Sequence, residues 1–312
     1  MIVKNQETQS NIEEAARILQ DVQVETYGSM DHREKVEFIL YQMKIMVKKA
    51  DMIRLLIVSR KVTEKTFKGQ GIEDLRIQYY AFYSIYHRHE QDYRESANDM
   101  KAIVDSMLTG APELSKLPAE DEFGFKFDLD LVFQNMIFYT AISEHSEAKT
   151  KLLTEIRSKY LSQLEKKPTM ERLVNGLLSK ELIETSIESW GVAHGEIFQD
   201  SFQHATSHRI NLKKQLIQHN ILICSEYYER VRLARLAELS GITNEELEEE
   251  TCHLINSDII KGKIDRVEGV IVFRRQRMDD AILDDWVEDV NNLLDLVNNT
   301  CNLIDREEDV MA

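Results

Sequence analysis

The sequence predicts a mainly α-helical protein: a helical-repeat arm of the tetratricopeptide-like α-solenoid kind, then a winged-helix module, then one long C-terminal helix. Three observations predict it. The 312 residues hold only 3 prolines and 11 glycines, about 1% and 3.5% where an average chain has roughly 5% and 7%, so turns are scarce and elements long. Apolar residues recur at helical spacing through most of the chain. Near 261–275 a single stretch reads as a hairpin, directly after two short helices. An all-β sandwich, barrel or propeller, which needs a turn every 8–12 residues or so, is excluded.

The elements follow in order. Asp31, with Glu34 three residues on, opens a helix as a capping-box pair, and Val36, Ile39, Leu40, Met43, Val47 and Ala50 mark its apolar face. A further helical stretch runs to about Thr66 and is ended by Gly69 and Gly71. Leu75, Tyr79, Tyr80, Tyr83 and Tyr86 stripe the next helix, and another covers about 96–108. Pro112 and Pro118 mark the clearest break. Helices are then expected at 127–142, 147–164, 168–179 and 180–189, with Pro168 suited to a first helical turn. No fixed-period consensus is visible, so the arm is a degenerate repeat.

The last third changes character. Residues 207–224 form a helix with Ile210, Leu212, Leu216, Ile217 and Ile221 apolar. A short helix at 232–239 is ended by Gly241 in the left-handed cap position. Thr243 opens a third helix, with Glu246 completing its capping box, running to about 260. The hairpin KGKIDRVEGVIVFRR follows: its arm Val270, Ile271, Val272 and Phe273 is β-branched and aromatic, and Gly269 supplies the turn. Helix, helix and hairpin in about 60 residues is a winged-helix layout. From about 279 to 306, Val290, Val297 and Ile304 repeat every seven residues, as do Trp286, Leu293 and Thr300. These rows form an a/d-type seam suited to a bundle with other helices.

Composition narrows the function. Lys plus Arg number 39 against 55 acids, a net charge of −16, which repels a phosphate backbone and favours protein partners; no nucleic acid is expected. The second helix of the winged-helix module holds Glu245, Glu246, Glu248, Glu249, Glu250 and Asp258 and no Lys or Arg, with Arg274, Arg275 and Arg277 beyond the wing as the nearby counterweight. No apolar run approaches the 18 or so residues of a membrane span, and the start MIVKNQETQSNIEEAA lacks a signal-peptide pattern. The widely spaced Cys224, Cys252 and Cys301 suit free thiols in a reducing compartment, the cytoplasm or nucleus.

Catalytic patterns are missing, so no enzyme and no cofactor is expected. The sequence has no GxSxG and no GxxxxGK[ST]. His87-Arg88-His89 followed by Ser96 and Asp99 resembles the zinc motif of JAMM metalloproteases. Six residues separate His89 from Ser96 where those enzymes have seven, and no preceding strand offers their glutamate. His204 and His208, with His194 and Glu196 nearby, have i, i+4 spacing, yet Ala205 replaces the Glu of HExxH. Both groups read as ordinary polar residues and not as metal ligands.

A helical arm running into a winged helix and a terminal helix is the layout of PCI-domain proteins. The last third is similar to PCI subunits of the proteasome lid in His219-Asn220-Ile221, Tyr227-Tyr228-Glu229-Arg230-Val231 and Arg232-Leu233-Ala234-Arg235-Leu236. The resemblance continues through the wing from Lys261 to Phe273 and the tail Leu283-Asp284-Asp285-Trp286 and Leu293-Leu294-Asp295-Leu296-Val297-Asn298-Asn299-Thr300-Cys301. A weaker echo lies at Leu75-Arg76-Ile77-Gln78-Tyr79-Tyr80 and His89-Glu90-Gln91-Asp92-Tyr93. The resemblance implies a helical arm over 1–120, a PCI domain with helical half 121–214 and winged-helix half 215–277, and a bundle helix over 278–312.

It also implies a non-catalytic scaffold subunit of the 26S proteasome regulatory-particle lid, in a hetero-oligomer with PCI and deubiquitinase subunits and against the ATPase ring. The alternative is a PCI scaffold of the signalosome or of a translation initiation factor. Two contact surfaces are expected: the strand Val270, Ile271, Val272 and Phe273, extending a sheet into a neighbour, and the ridge of Trp286, Val290, Leu293, Val297 and Ile304.

Overall fold

The computed structural model describes residues 31–62, 64–67, 72–109, 122–123, 125–190, 195–199 and 204–273, with Leu19 and a set of helical positions between 283 and 300. The chain divides into two compact units, Met1–Asn220 and Ile221–Ala312.

The first unit is helical. It contains α1 (His32–Lys48), α2 (Met52–Ser59), α3 (Glu73–His89), α4 (Tyr93–Leu108), α5 (Leu129–Ile142), α6 (Glu147–Lys159), the single turn α7 (Leu161–Leu164) and α8 (Pro168–Leu178). Local chemistry sets the starts. The Glu34 carboxylate accepts the Asp31 backbone N–H at 3.3 Å, and the side chains of Asp51, Asp92 and Ser146 accept the N–H three residues ahead of each, offsetting donors that a helix start leaves unpaired. Pro168 stands in the first turn of α8. The expected breaks at Pro112 and Pro118 and at Gly69 and Gly71 lie outside the described residues.

Two cores hold these helices. Val36, Leu40, Met43, Leu55, Leu75 and Phe82 join α1 to α3. A larger cluster runs from Ile77 through Met100, Phe133, Ile137, Phe138, Ile156 and Leu173 to Leu212 and Leu216. Helix α5 sits within it, ten of its residues buried, as a helix apolar on all sides requires. This cluster crosses the expected boundary at 120/121, so arm and following helices share one core there.

Three expected helices are corrected. The helix expected at 147–164 breaks at Tyr160, whose ring is buried. The one expected to reach 260 ends at Asn256, where Asp258 takes the left-handed φ of 59°. Residues 180–186 are not helical, and a short 3-10 turn, Ile187–Trp190, follows. The cause is Asn220, wholly buried: its Oδ1 accepts the Ile183 N–H and its Nδ2 donates to the Ile183 carbonyl, both at 2.8 Å. One side chain thus satisfies both backbone groups that a helix would have paired internally.

Helix α9 (Ala205–Tyr227) begins in the first unit and continues into the second. The second unit then holds β1 (Arg230–Arg232), α10 (Leu233–Ser240), α11 (Asn244–Asn256), β2 (Gly262–Asp265) and β3 (Val270–Phe273). Gly241, at φ 66°, ψ 34°, ends α10 as expected, and the Thr243 hydroxyl caps α11 by accepting the Glu246 N–H. Gly269, at φ 64°, turns the hairpin. Leu236, Leu247, Leu254, Ile260 and Ile271 are buried.

A buried basic cluster lies near the end of the first unit. The Lys149 ammonium, without a carboxylate partner among the described residues, donates to the Ala141 carbonyl (2.8 Å), the Ser143 carbonyl (2.6 Å) and Gln215 Oε1 (3.3 Å), and burial lowers its pKa to about 7. Burial, with Lys149 and His145 nearby, lowers His219 to about 4. The unfolded His219 takes its proton near pH 6.5 and the folded one near 4, so its contribution is present above 6.5 and lost as pH falls through that window. We expect about 1–3 kcal/mol of stability to disappear there through this group. In His219→Gln, urea denaturation between pH 7 and 4.5 should show a shallower acid loss; an unchanged slope would rule the histidine out.

Candidate protein-contact surfaces

The winged-helix sheet has the order β1-β3-β2. Strand β3 pairs antiparallel with β1, Arg230 opposite Val272, and with β2, Lys263 opposite Val272. The Phe273 N–H also donates to the Glu229 carbonyl at 2.8 Å. This corrects the expectation that Val270–Phe273 lends its backbone to a neighbour: both its sides are used inside the sheet. Val270, Ile271 and Phe273 are buried, while Val272 is 39% exposed. The open edges belong to β1 and β2. Sequence reasoning missed β1 because three residues, Arg-Val-Arg, are too few for an alternating pattern to register.

Helix α11 presents Glu245, Glu246 and Glu249 to solvent, and Glu248 is tied to Arg266 at 2.6 Å. Such a surface repels phosphates. Arg274, Arg275 and Arg277 lie outside the described residues.

The described positions between 283 and 300 are helical. Trp286, Val290, Leu293 and Val297 are exposed by 65%, 38%, 62% and 49%, and their spacing of three and four residues puts them on one face. Leu283, Val287, Leu294 and Leu296 are exposed as well. Ile304 lies outside the described residues. Scattered apolar residues on a surface are ordinary; Trp286, Val290, Leu293 and Val297 stand in one row along the helix.

The histidine groups do not converge. His87 Nδ1 bonds Asp99 Oδ2 at 2.7 Å in a buried pair, but His89 points outward to Glu90 and the Ser96 hydroxyl donates to the Asp92 carbonyl. Burial opposes the charge on His87, yet the bond and charge of Asp99 outweigh it and raise its pKa. His208 is buried with Nδ1 at 2.9 Å from the Ile197 carbonyl. His204 stands just before α9 at φ 65°, and its carbonyl accepts the His208 N–H at 2.9 Å. Glu196 pairs with Lys126 at 2.8 Å, and His194 lies outside the described residues. Among the described residues no three His, Cys, Asp or Glu side chains are grouped to hold a metal ion, and no helix is long and apolar enough to cross a membrane.

The family model for the PSMD12/CSN4 N-terminal region matches residues 1–109. The model for the PCI domain matches residues 191–275, and that for the 26S proteasome regulatory subunit RPN5 C-terminal domain matches residues 280–311. The 26S proteasome regulatory subunit RPN5 of Saccharomyces cerevisiae is 28% identical over 310 residues, covering 98% of this chain and 66% of that protein. The 26S proteasome non-ATPase regulatory subunit 12 of Dictyostelium discoideum is 31% identical over 308 residues, covering 97% and 65%. Its homolog B in Arabidopsis thaliana is 29% identical over 341 residues, covering 98% and 72%. The chain therefore spans 65–72% of the length of these relatives.

Proposed function

We propose that the chain, which matches the PCI-domain model over residues 191–275 and is similar along nearly its whole length to 26S proteasome regulatory subunits, is a non-catalytic scaffold subunit of the regulatory-particle lid. In this reading it supports lid assembly, and through it ubiquitin-dependent protein degradation, in cytoplasm and nucleus. Its neighbours are other PCI subunits and the deubiquitinase of the lid, with the ATPase ring beyond.

The observation that carries this reading is the exposed ridge of the terminal helix. Each large side chain there gains roughly 1.5–3 kcal/mol on leaving water, before ordering costs, and a helix-lined bundle supplies that cover. The acidic α11 argues for protein rather than nucleic-acid contact by the winged helix. Val272 and the edges of β1 and β2 are its available contact points.

Affinity purification of the full chain with identification of the co-purifying proteins by mass spectrometry is the test. Lid subunits together with ATPase-ring chains are expected. Signalosome or initiation-factor subunits without the ring would reassign the chain to a sister complex, and recovery of the chain alone would refute the scaffold.

A further inference from the structure

We propose that the stretch 181–184 offers a free strand edge, on which an extended, lysine- or arginine-bearing segment of another polypeptide adds by backbone pairing. The Asn220 amide bonds both the N–H and the carbonyl of Ile183, each at 2.8 Å. One partner can take both groups only where they point the same way, as in an extended strand, whose neighbouring residues present theirs to the opposite side. The other bonds keep this alternation. On the Ile183 side, His219 Nε2 donates to the Glu181 carbonyl at 3.3 Å; on the opposite side, Trp190 Nε1 donates to the Glu184 carbonyl at 2.8 Å.

His219 and Asn220 both belong to α9, so the first edge is closed. On the second, the Leu182 N–H and carbonyl and the Glu184 N–H have no hydrogen bond among the described residues. Leu182, Glu184 and Trp190 line a groove of about 490 Å³ together with Glu171 and Gly176 of α8. The edge and its groove belong to the first unit and are independent of the function proposed above.

Charge selects the occupant. Glu171 and Glu181 both line the groove, and neither carboxylate has a partner among the described residues. Arg172, the one cation among the lining residues, is taken by Glu184 at 3.4 Å and lies over the Trp190 ring at 4.8 Å; the adjacent Lys180 has a partner of its own. Two unpaired carboxylates in a chain of −16 attract cations and repel phosphate, which disfavours nucleic acid and an anionic membrane alike. Leu182, 43% exposed, gives the residue paired opposite it an apolar neighbour on the same face. The fitting segment is extended, with an aliphatic residue between cations.

The probe is the fluorescein-labelled peptide Gly-Lys-Val-Lys-Val-Lys-amide, titrated with the full chain and read by anisotropy. Saturable binding is expected. N-methylation of both valine amides keeps the peptide's charge but removes two backbone donors, and should weaken binding at least about tenfold. E171Q/E181Q should weaken it several-fold, and so should L182K, which sets a cation at the exposed edge. Matching circular-dichroism melts of the variants would show the fold intact. No saturation below about 1 mM, equal binding of the N-methylated peptide, or unchanged affinity in E171Q/E181Q would each overturn the proposal.

Discussion

Replacing Trp286 and Leu293 together by glutamate is expected to eliminate incorporation of the chain into the complex proposed above while leaving its own folding unchanged. Both side chains are more than 60% exposed in the isolated chain, so no intramolecular packing is lost. In a bundle the two would forfeit roughly 1.5–3 kcal/mol each and place two carboxylates against apolar neighbours, each costing a few more kcal/mol. At 1.4 kcal/mol for each factor of ten, the sum is about a thousandfold or more. Thermal denaturation of the isolated variant should match the parent within about 2 °C, and co-purification of partner chains should fall below detection. Normal recovery of the complex by the double variant would mean that this face stays in water, and the scaffold reading would lose its main support.

Asn220→Ala is expected to destabilise the first unit by about 2–5 kcal/mol, because it strips partners from two buried backbone groups at once. The loss concerns the Ile183 N–H and carbonyl, both bonded at 2.8 Å, in a stretch where Ile183 itself is buried. Asn220→Asp keeps the acceptor but removes the donor and introduces a buried charge, so it should be no better tolerated. Urea denaturation measures both. A change below about 1 kcal/mol in the alanine variant would show that the pair of bonds is replaceable.

These residues also show what the sequence could and could not reveal. Helices α1, α3, α4, α5, α8 and α9 were legible because apolar spacing, caps and Pro168 agree with one another, and tertiary packing did not override them. Gly241 and Gly269 were legible because each sits where the backbone needs positive φ. The stretch 180–189 was not, since its propensities are helical and the competing interaction comes from a residue 37 positions away. The same holds for β1, whose partner β3 lies about 40 residues downstream. Long-range pairing leaves no local periodicity to read.

For the contact surfaces the outcome is divided in the same way. The apolar row on the terminal helix was readable from its seven-residue spacing alone, because such a row is a property of a single helix; its contact with other chains is the reading proposed above. The role expected for Val270–Phe273 failed because strand edges depend on the whole sheet order, which one hairpin does not specify.

The sheet order has a further consequence for how the isolated chain stays dispersed. With the most apolar strand sealed in the middle, the outermost backbones carry Arg230 and Arg232 on one side and Lys263 and Asp265 on the other. Charged side chains along both margins, which would have to be desolvated in a would-be fibril seam, discourage stacking. Cutting the chain after Arg232 would strip away that guard and leave Val270–Phe273 as a sticky margin, so a fragment starting there should precipitate where the intact chain stays dispersed.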